Sequence, residues 1–368
     1  MHENIFAGAM KGCFRCTLAC KSLYKNILNN RTMNMIEWRK SIIARPDRIA
    51  IPVMTHPGIE ELGYTVKQAV SDGKIHAEAV KWIANHYPTQ ATSVIMDLTV
   101  EAEAFGAEVL FPEDEIPTVT GHMLNNADDI RRLEVPSLNS GRIREYLKAN
   151  IIVQRDVSDR PVFAGCIGPF SLAGRLFDMS EIMMLIYSDP EAAHLLLKKC
   201  TEFITKYVAA LKATGIGGVL MAEPAAGLMS NDDCWTFSSQ YVKMIVDKLQ
   251  DENFMIVLHN CGNTGQCTDA MVRTGAHGMH LGNKCDMVQV AREVPQDILV
   301  MGNLDPVTIF KQATPEDVYN ATKELLEQTR EFPHMVISTG CDTPPHVPIE
   351  NIDAFFKAME DYNKEAGK

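Results

Sequence analysis

Phe254-Met255-Ile256-Val257-Leu258-His259-Asn260-Cys261 is the stretch from which both the fold and the chemistry of this chain are read. Its apolar half is short and rich in β-branched residues, as a buried strand requires. A strand sends residues i and i+2 to one face, so His259 and Cys261 point at a common spot from one rigid element. A lone Cys341 follows a second such run, Met335-Val336-Ile337-Ser338. One imidazole and two thiolates form a donor set that zinc takes up, and three protein ligands with an open fourth position is the catalytic pattern. Free cysteines are also common in protein cores, so spacing alone leaves a purely structural reading of the three residues open.

Working outward, the same kind of run recurs at Ile49 to Thr55, Ser93 to Leu98, Val162 to Cys166, Gly218 to Ala222, Gly278 to Leu281 and Ile298 to Met301, which with the two above makes eight expected strands. Amphipathic stretches lie between them. Pro190 to Thr214 carries Ala193, Leu196, Leu197, Cys200, Phe203, Ile204 and Tyr207 at helical spacing, and Asn231 to Gln250 is a second expected helix. Strands alternating with helices imply parallel pairing and right-handed crossovers, and eight such units are the signature of a (β/α)8 TIM barrel. The linkers after the second and third strands are long and carry Pro112, Pro117, Pro136 and Pro169, which predicts elaborations over the barrel mouth.

Composition agrees with a single large α/β domain. The chain has 368 residues, 46% of them hydrophobic, enough for a sizeable core. A formal charge of -12, from 47 acidic and 35 basic residues, argues against a nucleic-acid partner, which demands a basic face. No apolar run approaches the roughly 18 residues of a membrane span. Ten cysteines without regular spacing predict reduced thiols and a cytoplasmic location. Residues 1–35 stand apart as a basic extension with Cys13, Cys16 and Cys20. The barrel domain is expected over 36–368, and the nearby Met33 and Met35 mark the extension as a candidate translation-start artefact.

Reacting groups of a barrel enzyme sit at the C-terminal ends of the strands. Taking the runs in order, those ends offer His56, Asp97, Cys166, Glu223, the His259 and Cys261 pair, His280, Asn303 with Asp305, and Cys341 with Asp342. Polar chemistry at every strand end strengthens the metal reading.

These residues carry a resemblance. Met96-Asp97-Leu98 with Glu103 to Ala107, Gly168-Pro169-Phe170-Ser171-Leu172-Ala173, Glu223-Pro224 with Leu228-Met229-Ser230, His259-Asn260-Cys261-Gly262, Gly302-Asn303-Leu304-Asp305-Pro306 and Gly340-Cys341 with Asn351-Ile352 resemble the uroporphyrinogen decarboxylase superfamily over about residues 36 to 365. The His-x-Cys pair with a distant Gly-Cys is similar to its zinc-dependent corrinoid methyltransferase branch. The resemblance implies zinc held by His259, Cys261 and Cys341, and catalytic roles for Asp97, Glu223 and His280. It also implies methyl transfer between a corrinoid such as methylcobalamin, carried on a separate corrinoid protein, and a small-molecule methyl donor or acceptor, in either direction. No corrinoid-binding Asp-x-His-x-x-Gly signature occurs in this chain.

Relatives in that branch carry an acid on the sixth strand as a further zinc ligand, whereas this chain has Met279-His280-Leu281 there, which leaves His280 or Glu223 as substitutes. Loops around 99 to 125 and 167 to 190, with Met123, Phe170, Phe177 and Met179, are expected to receive the corrinoid protein. Two alternatives stay in view. A decarboxylase of the same superfamily needs an Arg-rich segment near the first strand, where this chain has Pro52 to Gly58 without Arg. A non-catalytic barrel would use zinc only to hold loops and would show a closed four-ligand site.

Overall fold

The computed structural model describes residues 33–366. The cysteine-bearing extension, with Cys13, Cys16 and Cys20, lies outside the described residues. Seven parallel strands form one curled sheet: β1 (Thr92–Ser93), β4 (Val162–Ile167), β5 (Gly218–Ala222), β6 (Met255–Asn260), β7 (Gly278–Leu281), β8 (Leu299–Leu304) and β9 (Met335–Thr339), paired in that order. A separate antiparallel pair, β2 (Val109–Leu110) with β3 (Thr118–Val119), stands in the long linker after β1.

The eighth position of the barrel is filled by Ile49 to Ile51, which bridges to β9 through Ala50 and Ile337. Ile51 N–H donates to the Ile337 carbonyl, and Ile337 N–H donates back to Ile49, at 2.9 and 3.1 Å. On the other side Gln90 N–H donates to Ala50 (3.1 Å), so the ring closes. The expected seven-residue strand 49–55 is cut to this bridge because Pro52 has no N–H to continue the ladder. Val53 N–H turns to the Thr339 hydroxyl instead (3.0 Å). The expected strand 93–98 is likewise shortened. Val94 N–H still donates to Phe163, but Ile95 N–H is taken by the buried ring of His76 at 3.0 Å.

Alternation along the strands sorts the core into two layers, as a period of two demands. Ile51, Val53, Phe163, Leu220, Met255, Val257, Leu299, Met301 and Val336 fill the barrel interior. Val162, Ala164, Val219, Met221, Ile256, Leu258, Met279, Val300 and Ile337 face the surrounding helices. Helix Met35–Ile43, capped by the Asn34 side chain on Glu37 N–H (2.9 Å), packs Met35, Trp38 and Ile42 against the interior layer. Trp38 lies 6.0 Å from the Phe163 ring, so this helix plugs the barrel floor and chemistry is left to the opposite end.

Two expectations about the mouth change. Residues 167 to 190 are almost wholly helical, as Pro169–Phe177 and Met179–Ser188. Phe170 and Phe177 are buried in the core under those helices rather than offered to a partner, while Met123 and Met179 are partly buried beside them. Among the described residues no helix is long and apolar enough to cross a membrane.

Candidate metal centre

β6 and β9 bring the three expected ligands together at the C-terminal end of the barrel. The donor atoms of His259, Cys261 and Cys341 all lie within 4.8 Å of one another, and His259 Nε2 is 3.7 Å from Cys341 Sγ. A tetrahedral zinc with bonds of about 2.0–2.3 Å sets ligand atoms roughly 3.5–3.8 Å apart, so the residues fit the ion with small adjustment. The turn that carries Cys261 is held by Asn260, whose Oδ1 accepts from Gly262 N–H (3.1 Å) and Asn263 N–H (3.0 Å). Gly282 is required where the β7 loop passes, since a Cβ there would stand 2.7 Å from the Cys261 backbone.

His280 does not share the metal corner. Its Nδ1 meets Nδ1 of His259 at 2.7 Å, and its Nε2 lies 2.9 Å from Ser338 Oγ. The Ser338 hydroxyl spends its one proton on the Ile51 carbonyl (2.7 Å), so it must accept from His280 Nε2–H. Burial holds the His280 ring far below the usual imidazole range, leaving it neutral with a bare Nδ1. That nitrogen accepts from His259 Nδ1–H. By elimination, the lone pair of His259 sits on Nε2 and faces the thiols. A ligating histidine whose other nitrogen is fixed by a hydrogen bond is the usual arrangement around a bound metal.

The two thiols share a proton unequally. A hydrogen bond from Cys341 holds the Cys261 thiol below its ordinary value, and the same contact, with burial, pushes Cys341 up to about 12. The contact therefore favours ionisation of Cys261 over Cys341. Next to them Asp342 has both carboxylate oxygens buried without a partner, and burial pushes its carboxyl well up.

Glu223 and Asp97 are placed differently. The Glu223 carboxylate accepts from Phe170 N–H (2.8 Å), Ser171 N–H (2.9 Å) and the Ser171 hydroxyl (2.8 Å) at the start of helix Pro169–Phe177. It ties β5 to that helix and stands outside the metal group. Burial pushes it up to about 7 against those donors. Asp97 lies in a buried network. Its Oδ2 accepts from Arg142 Nη1 (2.5 Å) and Tyr146 OH (3.0 Å), and its Oδ1 accepts from Thr99 N–H (2.9 Å) and Thr99 OH (2.7 Å). Arg142 and Tyr146 escape sequence reasoning because their partner is more than forty positions away and no local pattern announces it.

Asn303 donates to the Gly282 and Cys285 carbonyls (2.9 and 2.8 Å), and Asp305 accepts from Val307 N–H (2.8 Å) and Thr308 N–H (2.9 Å), so both organise loops at the mouth. Cys166 faces the outer helices, and His56 is fully buried with both ring nitrogens unpartnered.

Residues 47–362 match the family model for uroporphyrinogen decarboxylase (URO-D). The chain belongs to the URO-D family. Within it, a methylcobamide:CoM methyltransferase from Methanosarcina acetivorans is 30% identical over 312 residues, covering 81% of this chain and 90% of the relative. A uroporphyrinogen decarboxylase from Vesicomyosocius okutanii is 26% identical over 291 residues, covering 76% and 82%. Among solved structures, a methyltransferase from Methanosarcina mazei superposes with a TM-score of 0.80 at 22% identity, covering 90% of this chain and 99% of that one. The (β/α)8 barrel of the URO-D family is thus the fold, and the chain is a methyltransferase of that family.

Proposed function

We propose that this protein is a zinc-dependent methyltransferase moving a methyl group between a corrinoid, carried on a separate corrinoid protein, and a small thiol or methylated substrate. The observation that supports this most directly is the His259, Cys261 and Cys341 cluster at the open end of the barrel, with a histidine lone pair facing two thiols, one of them already acidified. Methylated corrinoid chemistry is in the name of the Methanosarcina relative.

The chain's own residues divide the work. His259 Nε2, Cys261 Sγ and Cys341 Sγ are the three ligands. Bound there, zinc supplies the charge that keeps a substrate thiol deprotonated, or that polarises a methylated heteroatom. His280 and Ser338 hold the His259 ring in its ligating tautomer. Glu223 fixes the start of helix Pro169–Phe177 at the end of β4. Asp97 keeps the loop after β1 in place through Arg142 and Tyr146. A decarboxylase reading is not favoured, because a tetrapyrrole with many carboxylates requires several arginines at the mouth.

Elemental analysis of the purified protein beside Cys341→Ser and His259→Ala tests the reading, followed by methyl transfer from methylcobalamin to thiols. One zinc per chain that falls in both variants, together with transfer, is the expected result. A wild-type protein that stays metal-free after zinc reconstitution overturns it.

A further inference from the structure

Cys261 and Cys341 belong to the metal centre, but a second pair of free cysteines meets away from it. The Cys234 and Cys267 thiols are hydrogen-bond partners. Cys234 ends helix Asn231–Cys234, beyond β5, and Cys267 stands just before helix Thr268–Val272, in the segment that follows β6. The two helices are joined to each other, since Ala270 N–H donates to the Asn231 side-chain carbonyl (3.0 Å) and the Asn231 amide donates to Asp269 (3.2 Å). Both thiols are buried.

The pair lacks what a metal site needs. Cys267 Sγ lies 3.4 and 3.6 Å from the Met229 and Ala226 carbonyl oxygens, and Cys234 Sγ lies 3.6 Å from the Ser239 hydroxyl. Among the described residues, His259, Cys261 and Cys341 are the one group of three ligating side chains. Cys285, whose thiol is also in this part of the chain, donates to the Asn263 carbonyl (2.9 Å). Two thiols in contact with no third ligand have the composition of a dithiol–disulfide couple, and closing from contact to a bond of about 2.05 Å takes an approach of roughly 1.5–2 Å. The hydrogen bond from Cys234 also holds the Cys267 thiol below its ordinary value, and the thiolate is the form that oxidants attack.

We propose that Cys234 and Cys267 are a redox-active pair that closes to a disulfide when the protein meets a small peroxide and reopens with a thiol reductant. The two thiols give up two protons and two electrons as the S–S bond forms, and the O–O bond of hydrogen peroxide breaks to give two waters. A dithiol reductant returns both protons and both electrons and ends as its own disulfide. The segment that the bond would fix is the one carrying Cys261. Cys267 N–H and Gly265 N–H both donate to Asn263 Oδ1 (3.0 Å each), and Asn263 N–H donates to Asn260 Oδ1 (3.0 Å), which also holds the Cys261 turn. The disulfide therefore ties this segment covalently to helix Asn231–Cys234. The assignment stands apart from the methyltransferase reading and survives its failure.

Graded exposure of the folded full chain, reconstituted with zinc and desalted, to hydrogen peroxide tests it. Remaining thiols are then alkylated, and the non-reduced digest is read by tandem mass spectrometry with fragment ions that separate Cys261 from Cys267. Wild type is expected to yield a Cys234–Cys267 cross-link, about 2 Da lighter than the two free thiols, that dithiothreitol abolishes. Cys234→Ser and Cys267→Ser should each lose it, and Cys285→Ser should keep it. Cys234 and Cys267 both recovered as free thiols at peroxide levels that oxidise other cysteines of the chain overturn the proposal. So does either of them linked to a different cysteine, Cys285 or Cys261 included, or carried on to sulfinic acid that dithiothreitol does not reverse. Should a serine variant fail to fold, the wild-type cross-link map and Cys285→Ser decide alone.

Discussion

His259 and His280 are register partners on adjacent parallel strands, and their Nδ1 atoms meet at 2.7 Å inside the barrel. Because Ser338 and Ile51 fix the far side of His280, the pair leaves the His259 lone pair on Nε2, toward the thiols.

Removing that support is expected to weaken zinc binding without deleting a ligand. His280→Ala should lower affinity about 10–100-fold, the usual effect of losing the group behind a ligating histidine, and Ser338→Ala should lower it less. Competition against a chromophoric chelator measures this. Unchanged affinity in a folded His280→Ala protein refutes the relay.

In metal-free protein Cys261, whose thiol is held below its ordinary value, should react with iodoacetamide before Cys341, whose thiol is pushed up to about 12. Zinc should protect both, and chelation should restore labelling. Peptide mass spectrometry after brief exposure reads the order, and equal labelling of the two in the apo protein contradicts the unequal sharing.

Loss of Asp97 should be felt as stability. Asp97→Ala strands the buried Arg142 charge, which costs about 3–5 kcal/mol in comparable buried pairs. Denaturant unfolding is expected to show a lower midpoint. The surviving folded fraction should still bind zinc, because the network stands outside the metal group.

Gly168 admits the Glu223 side chain, since a Cβ on residue 168 would collide with the Glu223 carboxyl group. Gly168→Ala should therefore destabilise the protein by about 1–3 kcal/mol, an overpacking cost. A melting temperature equal to wild type would show that Glu223 has room to move.

Glu101 provides a pH signature. Burial pushes its carboxyl from 4.5 up to about 8, with one oxygen accepting from Ile167 N–H (2.9 Å) and the other unpartnered. The folded state thus binds a proton that the unfolded chain releases near pH 4.5. Its stabilising effect is complete below that pH and is lost as the pH rises to about 8. Glu101→Gln should flatten this part of the stability profile and melt higher than wild type at pH 8 and above. Parallel profiles for the two proteins from pH 5 to 8 contradict the assignment.

Several elements were legible in the chain because their signals are local. The run Phe254 to Leu258 reads as a strand from composition, and the i, i+2 placement of His259 and Cys261 follows from strand geometry alone. Helix Pro190–Lys212 follows from its apolar spacing. The run 49–55 is longer than the strand it forms, because an apolar run says nothing of whether its amides find a ladder partner, and Pro52 removes one. Pro169 reads as a loop signal in the stretch 167–190, yet proline is at home in the first turn of a helix, where its missing N–H has no intrahelical use.

What the sequence determined by itself is the alternation of strands and helices that demands a parallel barrel, and the presence of one imidazole and two thiols at strand ends. Those depend on the chain's own periodicity. What only the tertiary structure decided is which distant groups meet: that Cys341 closes the triad, that His280 supports His259 instead of joining the metal, and that Glu223 holds a helix. Each depends on register and burial between residues far apart in the chain, where a hydrogen bond or its absence is set by positions of a few ångström that no local pattern encodes.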